Sequence, residues 1–203
     1  MKKIALALAV CALGYVANGA MAQESPWLVR VRAVNIEPAN NSDPVGGVGA
    51  SDRISVPNKT IPEVDISYFF TPNIAAELIL TYPQKLDVNL DGNNIGSFKA
   101  LPPTLTAQYH FIPAGQIDPY LGVGVNYTNI SSVSLLGGAG GLDHDTWGLA
   151  LQAGVDFKLD KNWSINLDVK KVQIRSDVTA GGAKISNVQV DPVLVGAGIG
   201  YRF

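Results

Sequence analysis

The sequence predicts an all-β chain: an eight-stranded antiparallel up-and-down transmembrane β-barrel with short periplasmic turns and long extracellular loops. Three observations predict it. Apolar and polar residues alternate with period two in eight segments, and no 3.6-residue pattern occurs beyond residues 1–22. The connections between these segments are short and long in turn. Aromatic residues mark both ends of the segments, about ten residues apart, the span of a tilted membrane-crossing strand.

Residues 1–22 come first and read as a signal peptide. Lys2 and Lys3 precede an apolar stretch over residues 4–17, and Ala20-Met21-Ala22 supplies an A-x-A cleavage site. The mature domain is expected to span residues 23–203. Cys11 is the only cysteine and leaves with the signal, so the mature chain has neither a disulfide framework nor a cysteine metal site. Without Lys2 and Lys3, 13 basic side chains face 17 acidic ones, a net of −4, which excludes nucleic acid as a partner.

The strands follow in order. Trp27, Val29, Val31 and Ala33 alternate with Arg30 and Arg32. Val64, Ile66, Tyr68 and Phe70 alternate with Glu63, Asp65 and Ser67. Ile74, Ala76, Leu78, Leu80 and Tyr82 alternate with Ala75, Glu77, Ile79 and Thr81. Leu105, Ala107, Tyr109 and Phe111 alternate with Thr104, Thr106, Gln108 and His110. The pattern repeats over residues 121–128, 147–157, 163–170 and 195–203. Short connections fall at 71–73, 112–118 and 160–162. The long ones, roughly 37–62, 84–100, 130–145 and 177–187, are rich in Gly, Asn, Ser and Asp and read as loops.

Alternation does not say which face is outside. Three features put the apolar face toward lipid. Arg30, Arg32, Lys170 and Arg202 on the polar face nearly cancel Glu63, Asp65, Glu77, Asp156 and Asp168, as a confined charge network would. That face is also rich in Gly and Ala, which suits the narrow lumen of eight strands. The aromatic girdles are the third. The network is expected to plug the lower and middle lumen. No helical span is needed, because a closed barrel satisfies its own backbone in lipid.

Catalytic motifs are lacking: there is no G-x-S-x-G, HExxH, P-loop or CxxC. His110 faces inward and reads as a satisfied lumen histidine, and His144 sits in an Asp-His-Asp loop. The expectation is no enzyme, no cofactor and no metal.

Residues 101–111 (LPPTLTAQYHF), 119–128 (PYLGVGVNYT), 145–169 and 191–203 (DPVLVGAGIGYRF) resemble the OmpW family of small outer-membrane barrels, and 73–83 fits its third strand. The resemblance covers nearly the whole mature chain. It implies a monomer in the outer membrane of a Gram-negative bacterium, embedded in lipid and lipopolysaccharide. It also implies passage of small hydrophobic solutes through a lumen pocket that opens sideways. Tyr201 and Phe203, at the end of an apolar alternation, resemble the signal read by the outer-membrane assembly machinery.

Site expectations follow. Ile79, Thr106 and Lys170 are expected to line the pocket, with Lys170 more polar than a deep apolar pocket would want. Pro83 ends strand three and Pro102-Pro103 opens strand four. Prolines lack the N–H of the ladder and weaken pairing at that seam, or they simply end the strands. The resemblance favours a lateral gate there. Val45, Val48, Ile54 and Val56 in the first loop, with Leu135, Leu136 and Leu142 in the third, form either an entrance or a loop mini-core. The alternative function is a structural or surface-interaction barrel with a sealed lumen.

Overall fold

The computed structural model describes residues 25–138, 140–180 and 183–203. The expected signal peptide lies outside the described residues. In chain order the strands are β1 (Trp27–Glu37), β2 (Asn41–Ser42), β3 (Ile54–Ser55), β4 (Lys59–Phe69), β5 (Ile74–Leu80), β6 (Gln84–Leu90), β7 (Asn93–Leu101) and β8 (Thr104–His110). They continue as β9 (Ile117–Leu135), β10 (Gly140–Leu142), β11 (Asp145–Lys158), β12 (Trp163–Val172), β13 (Arg175–Ala180), β14 (Ala183–Gln189) and β15 (Val193–Arg202).

Eight of these close a ring in the order β1-β4-β5-β8-β9-β11-β12-β15, each antiparallel to its neighbours. The last strand zips onto the first, from Leu28 opposite Arg202 to Glu37 opposite Val193. Beyond the ladder, Phe203 N–H donates to the Trp27 carbonyl at 3.2 Å, and Ser25 N–H to the Phe203 carbonyl at 3.1 Å. The final residue is thus part of the seam. A closed ring leaves no unpaired edge facing lipid, so β15 is paired along its whole length.

The faces are as alternation and charge predict. Val31, Leu121, Leu151 and Ile199 point outward with about half of their surface open, and Arg30, Asp65, Glu77 and Asn166 point inward with none. At the short-turn end Trp27, Tyr68 and Phe70 stack edge to face, as do Trp163, Tyr201 and Phe203, at centroid distances of 4.9–5.1 Å. Tyr127 and Trp147 meet at 4.9 Å near the long-loop end. These amphipathic rings belong at a membrane interface.

The long connections are where the structure corrects the sequence reading. Three of the four are strands rather than loops. Residues 84–101 form the β6–β7 hairpin, turning at Asp91 and Gly92, whose φ of 50° and 81° are those of a two-residue type I′ turn. β9 continues to Leu135, where β7 and β10 pair with it. β13 and β14 form a second hairpin, with β10 against β13 and β2 against β14. The first connection stays mostly irregular up to the start of β4, with the short strands β2 and β3 and a 3-10 turn at Val45–Gly47 in it. Together these pieces build a wall that prolongs the barrel beyond its long-loop end.

The join is not smooth. β5 pairs with β8 as far as Ile79 opposite Thr104, and β6 pairs with β7 from Gln84 opposite Ala100, one residue out of register. β9 makes a similar shift against β7 around Ser132, which adopts a φ of 51°.

Candidate functional site: a charged plug beneath an apolar cup

The lower lumen is filled by side chains from every barrel strand except β15. That strand turns Gly196, Gly198 and Gly200 inward. The omission makes room: a Cβ on Gly200 would stand 3.3 Å from Arg30 Cγ, and one on Gly196 3.6 Å from Arg32 Cδ. The two arginine stems run across this glycine face.

Arg30 donates from Nη1 to Glu77 Oε2 at 2.6 Å and Ser67 Oγ at 3.0 Å, and from Nη2 to Asp156 Oδ2 at 2.5 Å. Arg32 reaches Glu77 and Asp65 at 3.2 Å and Glu63 and Asp168 at 3.4 Å. Lys170 Nζ lies 2.5 Å from Glu63 and 3.1 Å from Asp168. Gln152 ties the halves together. Its Nε2 donates to Glu77 at 2.9 Å and Asp168 at 2.8 Å, while its Oε1 accepts from Thr106 and Gln108. The Tyr120 hydroxyl donates to Asp168 at 2.8 Å, beneath the Arg30 guanidinium. Ions this deeply buried persist only when paired, and each of these has an opposite charge within 3.4 Å, although neither Asp65 oxygen accepts a hydrogen bond.

The network unites Arg30, Arg32, Glu63, Asp65, Glu77, Asp156, Asp168 and Lys170. Arg202 lies at the turn end, its guanidinium 4.3 Å above the Phe69 ring and its Nε donating to the Ser25 carbonyl. The expected near-cancellation of charge is corrected. The buried set holds three basic side chains (Arg30, Arg32, Lys170) against six carboxylates, because Arg202 stays at the turn end and Asp118 folds in from the start of β9. Asp118 accepts from His110, its Oδ2 2.8 Å from Nδ1, and the imidazole stacks on Tyr120. His110, Asp118 and Asp156 bring potential ligand atoms within 4.8 Å of one another. Each is already engaged, Asp156 by both Arg30 and Asn166. Tyr120, Gln152 and Asn166 escaped the sequence reading, although all three sit on the inward parity. Uncharged residues give no charge signal.

Above Lys170 and Glu63 the lining changes. A cavity of about 60 Å³ is walled by Ile36, Ile61, Ile79, Leu86 and Val172, with Lys170 and Glu63 also on its wall. Ile79 and Lys170 are both on this wall. Thr106 does not line this cavity: it bonds Gln152 lower down, and Thr104 takes its place one step along the strand.

A second cavity of about 30 Å³ lies in the cup formed by the wall, lined by Ile54, Val88, Phe98, Ile130, Leu135 and Val188 among others. Ile174 and Val190 border both cavities, so the apolar lining is continuous. Of the loop residues singled out, Ile54, Val56 and Leu135 are buried in this cluster, and Val45 and Leu142 pack against it. Val48 and Leu136 are exposed instead.

The barrel wall is incomplete beside the lower cavity. No ladder pair joins residues 80–83 to residues 101–103, the stretch holding Pro83, Pro102 and Pro103. A second break adjoins it. β4 pairs with β5 only up to Val64 opposite Leu80, with Pro62 two residues further along. Above that point side chains bridge the gap: Thr81 Oγ1, just past β5, donates to the Pro62 carbonyl at 3.0 Å, and Lys59 Nζ on β4 to the Lys85 carbonyl on β6 at 2.8 Å. The sequence reading noticed the first seam and missed the second.

Comparison with known proteins agrees with this architecture. The OmpW family profile matches residues 23–203. The outer-membrane protein y4mB of Sinorhizobium fredii is 44% identical over 193 residues, covering 92% of this chain and 83% of its own. Outer membrane protein W of Vibrio cholerae is 32% identical over the full length of both chains. A dibenzothiophene metabolism operon protein, PahQ of Pseudomonas aeruginosa, is 27% identical and covers 92% of this chain and 93% of its own. Among solved structures, the outer-membrane protein OprG of Pseudomonas aeruginosa superimposes with a TM-score of 0.75 at 25% identity, covering 89% of this chain and 97% of its own.

Proposed function

The chain belongs to the OmpW family of outer-membrane barrels, and from that premise we propose that it passes small hydrophobic molecules across the outer leaflet and releases them sideways into the bilayer. The carrying observation is the apolar cup standing directly on a charge-sealed lumen. A solute that enters the cup meets apolar walls down to Ile79 and then the Lys170–Glu63 floor. Straight passage to the periplasm would require breaking buried ion pairs. The easier exit is lateral, where the ladder is missing around Pro83, Pro102 and Pro103.

The physical barrier explains the design. An apolar solute partitions readily into acyl chains but must first cross the hydrated, charged sugar layer of lipopolysaccharide. A cup that shields it through that layer and opens at acyl-chain depth removes the costly step without an energy source. The name of the relative PahQ refers to the metabolism of dibenzothiophene, an apolar aromatic molecule, which is in keeping with this reading. The cavities of about 30 and 60 Å³ are smaller than the roughly 150 Å³ that holds benzene. Passage therefore involves side-chain movement at the constriction around Leu86, Ile174 and Val190.

The test is uptake of a fluorescent or radiolabelled apolar solute by cells or lipopolysaccharide-containing vesicles with and without the protein. Pro83→Ala supplies an N–H at the seam and is expected to slow uptake several-fold. Uptake that is independent of the protein would favour the sealed surface barrel instead.

A further inference from the structure

The outward face of the cup carries an unusual charge arrangement. Lys85 on β6 and Lys99 on β7 are direct cross-strand partners, and both are exposed. Their sequence neighbours Gln84 and Ala100 are buried on the inner face, so both ammonium groups project outward. Like charges directly opposite one another in an antiparallel pair are destabilising. Lys59 adds to the crowding, because its hydrogen bond to the Lys85 carbonyl draws a third ammonium group to the same edge.

Compensation within the protein is slight. Asp87 Oδ1 lies 3.9 Å from Lys85 Nζ, with both side chains more than half open to solvent. Lys99 has no ion-pair or hydrogen-bond partner among the described residues. Other basic residues near this rim are treated differently. Arg175 is paired with the Asp191 carboxylate at 2.9 Å, and Lys171 donates to the Asp191 carbonyl. Among the described residues at this rim the Lys85–Lys99 pair is the one whose ammonium groups are left without a close partner, with the Lys59 ammonium beside it.

The position of this pair says which external anion it suits. Tyr82, half exposed on the outer wall, comes three residues before Lys85, so the lysines stand just beyond the aromatic girdle. That is the headgroup layer of the outer leaflet. We infer that Lys85, Lys99 and Lys59 form a docking site for the phosphorylated sugar headgroup of lipopolysaccharide's lipid anchor. The paired ammonium groups take the place of the divalent cations that otherwise bridge such phosphates. A lysine is a compact point charge on a flexible stem and suits a phosphate whose position varies. Docking there would hold the β6–β7 wall upright in the sugar layer.

The test uses the full barrel in phosphatidylcholine nanodiscs with EDTA present, titrated with bisphosphorylated lipid A. The wild type is expected to bind it, and K85Q/K99Q to bind it more weakly by a factor on the order of 30. K171Q, at the same rim but outside the cluster, is expected to bind as the wild type does. Heat-modifiable gel migration verifies that each variant is folded. Dephosphorylated lipid A, phosphatidylglycerol and inorganic phosphate are the control ligands, and each is expected to bind far more weakly. Equal affinity of K85Q/K99Q and wild type for lipid A would overturn the site. Equal affinity of the wild type for phosphatidylglycerol would overturn the assignment to lipopolysaccharide, and equal affinity for inorganic phosphate the assignment to a lipid.

Discussion

The lower lumen and the cup above it are built from the same backbone pattern and filled in opposite ways. In the barrel, Glu63, Asp65 and Glu77 point inward, and Leu78, Leu80 and Val64 point outward. In the β6–β7 wall, Val88, Phe98 and Ala100 point inward, while Lys85 and Lys99 point outward. The surroundings reverse between the two. Lipid bathes the barrel, and water and sugars bathe the cup. Apolar groups leave whichever side is wet, so the filling inverts at the membrane boundary. The charged floor and the apolar funnel are two consequences of one partitioning rule.

The largest expected effect comes from breaking the plug. Arg30→Met removes the guanidinium that joins Glu77, Ser67 and Asp156 and leaves buried carboxylates short of partners. A loss of about 3–5 kcal/mol is expected, since removing one member of a buried pair strands the other. Urea unfolding of the barrel in vesicles measures it. A loss below about 1 kcal/mol would mean that the network rearranges freely and the contrast between floor and funnel is shallow.

The cup breaks separately. Phe98→Ala empties part of its apolar cluster and is expected to cost about 3 kcal/mol there. The readout is protease cleavage within the β6–β7 hairpin while the barrel keeps its heat-modifiable migration. Simultaneous loss of both would show that cup and barrel are one cooperative unit.

The smallest effect concerns the rim of the cup. Lys184 Nζ, 2.7 Å away, and the Asn187 amide hold the Asp177 carboxyl below its ordinary range. A depressed acid contributes stability that is present above its unfolded value and is lost as pH falls through the folded one. The β13–β14 hairpin is therefore expected to exchange its amides faster, relative to the barrel, once pH drops through the carboxylate range. Lys184→Gln should flatten that dependence. The group is solvent-exposed, so the change is modest.

Much of this was legible in the residues. Eight alternating segments, charge on one parity and aromatics at the ends gave the barrel and its inside. Of the proposed pocket residues, Ile79 and Lys170 line the cavity, and the proline seam coincides with a break in the ladder. What was misread shares a cause. The segments 84–100 and 177–187 are rich in Asn, Ser, Gly and Asp, which signal loops, yet among the described residues most of these occupy turns or outward strand positions. Asp91-Gly92 between two alternating runs was a hairpin signal that composition obscured. The break between β4 and β5 depends on Pro62 lying just past Leu80's partner Val64, a juxtaposition that exists only once the strands are paired.

The sequence by itself determined the number of crossings, the closure of the ring and the segregation of apolar from polar residues along each strand. Charge and aromatics also marked the inside of the membrane-spanning part, but only the tertiary structure decided that the two sets exchange faces above it. Alternation is unchanged when the faces are exchanged, and a one-residue slip exchanges them. Such slips occur between Ile79 and Gln84 and around Ser132, where the strands leave the lipid, because that is where the solvent outside the wall changes.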